Sequence, residues 1–152
     1  MLEPMGNEGQ VMAQAFSVEE VIQRPAPQVW EALTDWPSAH RWMPGIESMT
    51  AEGETAEGTK LTFRARGADR SSTIAQCDLG RSIVLRSVQG GVTADYTYEV
   101  HEFDEDSARV TLVANCQITG LWWSLVSPLL CVAVRLSDGK QLRLLKAMVE
   151  GG

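Results

Sequence analysis

VIQRPAPQVWEALTDWPSAHRWMPGI, residues 21–46, holds most of the information about the fold. Val21 and Ile22 close an extended run that starts at Phe16. Pro25 and Pro27 end it, because proline has no N–H to offer a ladder. Pro27 also suits the first turn of a helix, where an N–H would be unpaired anyway. Val29, Trp30 and Leu33 then recur at helical spacing, which predicts a short helix ending near Thr34. Asp35 is expected to cap a second short helix carrying Trp36, His40 and Trp42. Pro44-Gly45 stops that helix.

Before this stretch, Met1–Ala15 shows no periodicity and is expected to be a flexible leader, with a single domain over residues 16–150. After it, the pattern changes to short apolar runs cut by turn residues. The runs are Ile46–Glu52, Thr59–Arg66, Ser72–Leu79, Ile83–Val88, Thr93–Phe103 and Arg109–Ile118. Gly53–Gly58, Gly67–Arg70, Gly80-Arg81, Gly90-Gly91 and Asp104–Ser107 separate them. Short connections make successive strands antiparallel neighbours, and Gly90-Gly91 is the strongest hairpin signal. From Leu121 to Glu150, Leu125, Leu129, Val132, Leu136, Leu142, Leu145 and Val149 form one helical stripe, with a kink expected at Pro128. Arg143 and Lys146 stand near its end, where they favour the helix dipole.

The expected architecture is α+β: seven antiparallel strands, two short helices after the first, and a long C-terminal helix. A twisted sheet must cover its apolar face, and only the last helix is long enough to do so. A curved sheet around one helix leaves space between them, and ligands bind in such spaces.

This order resembles the helix-grip fold of the START-like, or SRPBCC, superfamily, which includes polyketide cyclases and dehydrases. Residues 21–46 look like its opening, with a proline turn, a "VW..LTD" helix and a "W.PG" turn. "EGTKLTF" (Glu57–Phe63) and "LRLLKAMVE" (Leu142–Glu150) are similar to its third-strand entry and to the end of its closing helix. The resemblance covers residues 16–150. It implies a pocket between sheet and helix and does not select a reaction, since the superfamily includes carriers as well as enzymes.

Strand parity proposes which residues face that pocket. Tyr96 and Tyr98 face inward on their strand, Leu112 on the next, and Phe63 on the third. The tyrosine hydroxyls either meet a ligand or find partners in the core. Arg86 stands in a run that is apolar on both parities. Facing inward it would bind an anionic or enolic oxygen, and facing outward it is a surface residue over inward Ile83 and Leu85. Trp30 and Trp42 flank the expected mouth, as stacking platforms or as a plug. Leu125 and Leu129 complete the candidate ligand-binding set from the helix.

No catalytic residue is assigned. His40 is the one histidine expected near the entrance, and no triad order, phosphate loop or paired carboxylates appear. Cys77, Cys116 and Cys131 are scattered without metal-ligand spacing, so no metal or cofactor is expected, and three unpaired thiols suit a reducing cytoplasm. The formal net charge of −7 argues against a nucleic-acid partner, and none is expected. Leu121–Val134 is too short and too interrupted to span a bilayer, so no integral membrane segment is expected. The expected partner is a small hydrophobic or aromatic molecule, bound by a monomer or dimer. Two alternatives stand beside simple binding. One is a polyketide cyclase, aromatase or dehydratase working in the same cavity. The other is docking on a protein or membrane through Trp122 and Trp123.

Overall fold

The computed structural model describes residues 10–89, 92–119 and 140–151. Seven strands make one antiparallel sheet: β1 (Gln10–Ile22), β2 (Ile46–Ala51), β3 (Lys60–Ala65), β4 (Ala68–Asp78), β5 (Ser82–Gln89), β6 (Val92–Asp104) and β7 (Ser107–Thr119). Their spatial order is β1-β7-β6-β5-β4-β3-β2, a meander from β2 to β7 with β1 laid against the last strand. Helix α1 (Ala26–Leu33) and a 3₁₀ helix (Trp36–Arg41) link β1 to β2, and α2 (Gln141–Gly151) follows β7. The α+β helix-grip arrangement expected from the sequence is the one observed.

Local chemistry sets the boundaries. Pro25 is the extended N-cap of α1 and Pro27 falls in its first turn. Val29 and Leu33, four residues apart, are the two side chains α1 buries. The helix ends at Thr34, whose hydroxyl donates to the Trp30 carbonyl at 2.9 Å. Asp35 occupies the N-cap of the next helix but makes no side-chain capping bond there, contrary to expectation, and the turn winds as 3₁₀. That helix is held from its apolar side instead. Trp36 is buried, and its indole N–H donates to Thr55 Oγ1 at 3.0 Å.

Two boundaries differ most from the sequence reading. β1 begins at Gln10, so the expected leader, Met1–Ala15, is extended strand over its last residues. Its ladder partner decides this rather than its own alternation: β7 runs on to Thr119, and Gln10 pairs with it across a bulge at Gln14/Phe16. β4 begins at Ala68, inside the expected Gly67–Arg70 linker. The turn needs only Arg66 and Gly67, with φ of 52° and 78°, between paired Ala65 and Ala68. Positive φ at both central residues is the type I′ pattern that matches strand twist. Gln89 pairs with Val92 across Gly90-Gly91, which lie outside the described residues.

The core is continuous between the inner face of the sheet and the helices. Leu61, Ile74, Ile83, Val110 and Leu112 on the sheet are fully buried, as are Leu142 and Leu145 of α2. The end of α2 is clasped to the end of β1. Lys146 Nζ donates to the Val21 carbonyl at 2.6 Å and to Glu150 Oε2 at 2.7 Å. Glu150 Oε2 also accepts the Gln23 N–H at 2.8 Å, and Arg24 donates to the Glu150 carbonyl at 2.9 Å. Lys146 thus acts through named contacts rather than through the helix dipole alone. Of the expected long helix, the portion before Lys140, with Pro128, Leu125 and Leu129, lies outside the described residues.

Candidate functional site

A cavity of about 150 Å³ opens between the sheet and the first turn of α2. Parity builds it. Met49 on β2 and Phe63 on β3 are ladder partners, and so are Leu85 on β5 and Tyr96 on β6. Each pair puts two large side chains on the inner face. Tyr98 continues β6, while Ser72 and Ser87 supply small hydroxyl-bearing side chains on β4 and β5. The far rim is the turn after the 3₁₀ helix, with Met43, Pro44 and Ile46. Gly45 takes φ of 84° there, which lets the chain reverse from helix into β2. Gln141, the first residue of α2, closes the remaining side.

The polar contacts are few and buried. Tyr98 is 2% exposed, and its hydroxyl donates to Gln141 Oε1 at 2.6 Å. The Tyr98 ring meets Trp42 edge to face, with centroids 5.9 Å apart at 88°. Tyr96 meets Phe16 similarly, at 6.1 Å and 76°. Such pairs are worth about 0.5–1.5 kcal/mol beyond their burial, so they hold the cavity wall in place. Trp42 Nε1 is buried with no hydrogen-bond partner among the described residues. None of the described side chains lining the cavity is a carboxylate, His, Lys or Arg.

The predicted residues divide into three groups. Phe63, Tyr96 and Tyr98 line the cavity. Trp30, Trp42 and Leu112 belong to the core around it: Trp42 and Leu112 are 1% and 0% exposed, and Trp30 is half-buried against the same cluster. Trp42 is therefore a plug rather than a stacking platform. Leu125 and Leu129, and the Trp122/Trp123 pair, lie outside the described residues. Arg86 is a correction. It faces outward, over buried Ile83 and Leu85, and makes two 2.8 Å bonds to the carboxylate of Asp95, its ladder partner on β6. Those bonds raise the guanidinium pKa further, and Arg86 does not line the cavity. Its charge outweighs the apolar look of its run, because a guanidinium turned inward would meet no anion there. His40 is exposed and hydrogen-bonds locally to the Pro37 carbonyl.

Several lining residues escaped the sequence reading. Leu85 is inward only in the alternative that turns Arg86 outward, and Ser87 follows from the same parity. Gln141 left a fainter trace: it stands four residues before Leu145, on the apolar stripe, where a polar residue is unexpected. Pro44 enters the sequence reading only as a helix stop, and Met43 not at all.

Larger hollows exist, including one of about 540 Å³ bordered by Lys60, Arg64 and Asp69. Arg64 and Asp69 are paired there at 2.8 Å on the exposed surface. The smaller cavity is the better candidate, because apolar side chains and a buried polar pair converge on it. Among the described residues no group of three or more His, Cys, Asp or Glu could hold a metal ion, and no helix is long and apolar enough to cross a membrane.

Comparison with known proteins gives a consistent picture. A family model described as polyketide cyclase/dehydrase and lipid transport matches residues 13–150. No curated protein matches the sequence. Among solved structures, the Zhui aromatase/cyclase from Streptomyces sp. R1128 superposes with a TM-score of 0.74 at 15% identity, over 92% of this chain and 94% of that one. Truncated norcoclaurine synthase from Thalictrum flavum gives 0.68 at 16% identity, over 93% and 95%. Ara h 8.0201 gives 0.66 at 15% identity, over 95% and 100%. At these identities the likeness is one of fold.

Proposed function

The chain belongs to the polyketide cyclase/dehydrase and lipid transport family, and on that premise we propose that it binds a small aromatic or hydrophobic molecule in the cavity between sheet and α2. The observation that carries this reading is the lining itself. Met43, Met49, Phe63 and Leu85 supply apolar walls, while Ser72, Ser87 and Gln141 supply scattered polar atoms. An apolar space of about 150 Å³ accepts a benzene-sized group. Burial of its surface is worth roughly 25 cal/mol per Å² before the costs of association.

Cyclisation or dehydration in the same cavity is the second reading, and the family favours it. The acid–base work would then fall on the tyrosine phenols, because no other strong acid or base lines the described wall. Tyr96 and Tyr98 both border the cavity, and Tyr98 is oriented by its bond to Gln141.

The direct test is an NMR titration with acetophenone, following the methionine methyl groups. Met43 and Met49 line the cavity, whereas Met148 lies outside it and reports non-specific effects. Shifts at Met43 and Met49 that saturate, and that vanish in Ser87→Phe, are expected. Unmoved Met43 and Met49 methyls up to the solubility limit would overturn the cavity as a binding site.

A further inference from the structure

Gln141 is 5% exposed and still borders the cavity. Its carboxamide is oriented from one side. Oε1 accepts the Tyr98 hydroxyl at 2.6 Å, so the amino end, Nε2, is the end left over. Nε2 carries two N–H donors, and among the described residues neither has an acceptor. Nε2 is not sealed away, since Trp42 Nε1 is the one fully buried unpartnered side-chain nitrogen among the described residues, so a guest that brings an acceptor makes a bond here that a hydrocarbon cannot. The other small polar atoms of the wall do not impose this choice. The hydroxyls of Ser72 and Ser87 rotate to donate or accept, whereas an amide N–H only donates.

We propose that Gln141 sets the chemical class of the ligand: Nε2 donates to a neutral acceptor oxygen, a ketone, aldehyde or ether, on an aromatic guest packed against Phe63, Met49 and Leu85. This rests on the cavity being the binding site. The described part of the wall favours a neutral guest. A carboxylate would enter a space with no Lys, Arg or His among its described lining, and its desolvation would go largely uncompensated. Tyr98 is then a positioning residue, since it holds the carboxamide by its oxygen and turns the nitrogen toward the guest.

Three probes of nearly one shape decide the matter: acetophenone, ethylbenzene and benzoate, titrated against the full chain and read at the Met43 and Met49 methyls. The wild-type protein is expected to bind acetophenone about tenfold more tightly than ethylbenzene, and benzoate more weakly than acetophenone. The double variant Tyr98→Phe/Gln141→Leu keeps the volume and leaves no polar atom of the pair unmatched. It should bind the two neutral probes equally, with ethylbenzene no weaker than in the wild type. Tyr98→Phe/Gln141→Met, which removes the donors, keeps the length and leaves no freed hydroxyl to take their place, should lose the ketone preference by a similar factor. Equal binding of ketone and hydrocarbon by the wild type overturns the proposal and leaves the cavity standing. So does a tenfold preference that survives in either variant. If neither neutral probe moves the two methyls in the wild type, the binding site itself is wrong and this proposal goes with it.

Discussion

Replacing Tyr98 by Phe removes one oxygen atom and little else. The ring keeps its edge-to-face contact with Trp42 at 5.9 Å, and the side chain stays in a position that is 2% exposed. Among the described contacts, the 2.6 Å bond to Gln141 Oε1 is lost, which leaves a buried amide oxygen without this donor. An unsatisfied buried acceptor costs about 1–3 kcal/mol. Because Gln141 borders a cavity that a water molecule can enter, the lower half of that range, about 1–2 kcal/mol, is expected. Urea unfolding followed by tryptophan fluorescence should show it. At a slope of roughly 2 kcal/mol per M the midpoint falls by about 0.5–1 M. The decisive measurement is the double-mutant cycle with Gln141→Leu. If the hydrogen bond is the cause, the second substitution recovers stability, and the coupling exceeds about 0.5 kcal/mol. Two single effects that simply add would refute the reasoning, because the loss would then come from packing rather than from the orphaned oxygen.

The remaining expectations are simpler. Arg86→Ala should cost about 1–3 kcal/mol, because the Asp95 side chain is only 13% exposed and loses both its bonds, and should leave acetophenone binding unchanged; a binding loss would return Arg86 to the cavity. Gly67→Ala should destabilise by about 1 kcal/mol purely through the backbone, since no atom lies within 4 Å of the added methyl; thermal melting checks this, and an unchanged midpoint would argue against the type I′ turn. Leu61→Ala, at a fully buried position, should cost about 2–5 kcal/mol in denaturant unfolding. The Glu150 carboxyl is held below its usual range, first by the Lys146 ammonium and then by the Gln23 N–H. A depressed acid stabilises the fold above its unfolded pKa, and that contribution disappears as pH falls through the folded value. Acid unfolding curves of Glu150→Gln should therefore lack part of the wild-type loss below about pH 4.5, the ordinary value for such a carboxyl; superimposable pH profiles would count against the clasp.

The sequence made some features plain and hid others, for physical reasons. Residues 21–46 announced themselves because proline and glycine act locally, and the helix at Ala26–Leu33 and the reversal at Gly45 sit where those residues demand. The inward parity of Tyr96, Tyr98, Phe63 and Leu112 was legible because each strand alternates cleanly. Arg86 was ambiguous because its run is apolar on both faces, and the partner that settles it, Asp95, lies on another strand. The start of β1 was hidden for a similar reason: its ladder is supplied by residues a hundred positions away. Gln141 was the hardest to see, since its importance depends on Tyr98 meeting it across the cavity and on nothing in its own neighbourhood.

The position of β1 has a consequence for how the chain assembles. Strands β2 to β7 join neighbour to neighbour through short reversals, so each closure loses little chain entropy. β1 pairs Gln10 with Thr119 and Ile22 with Ala108, and its ladder cannot form until β7 exists. On a ribosome the opening segment therefore waits, unpaired, while the whole meander is made. Stitching that seam is the slow, long-range event of folding. Until then the ladder edge of β7 is unpaired, and this is the interval in which nascent copies of the chain are most exposed to mispairing with one another.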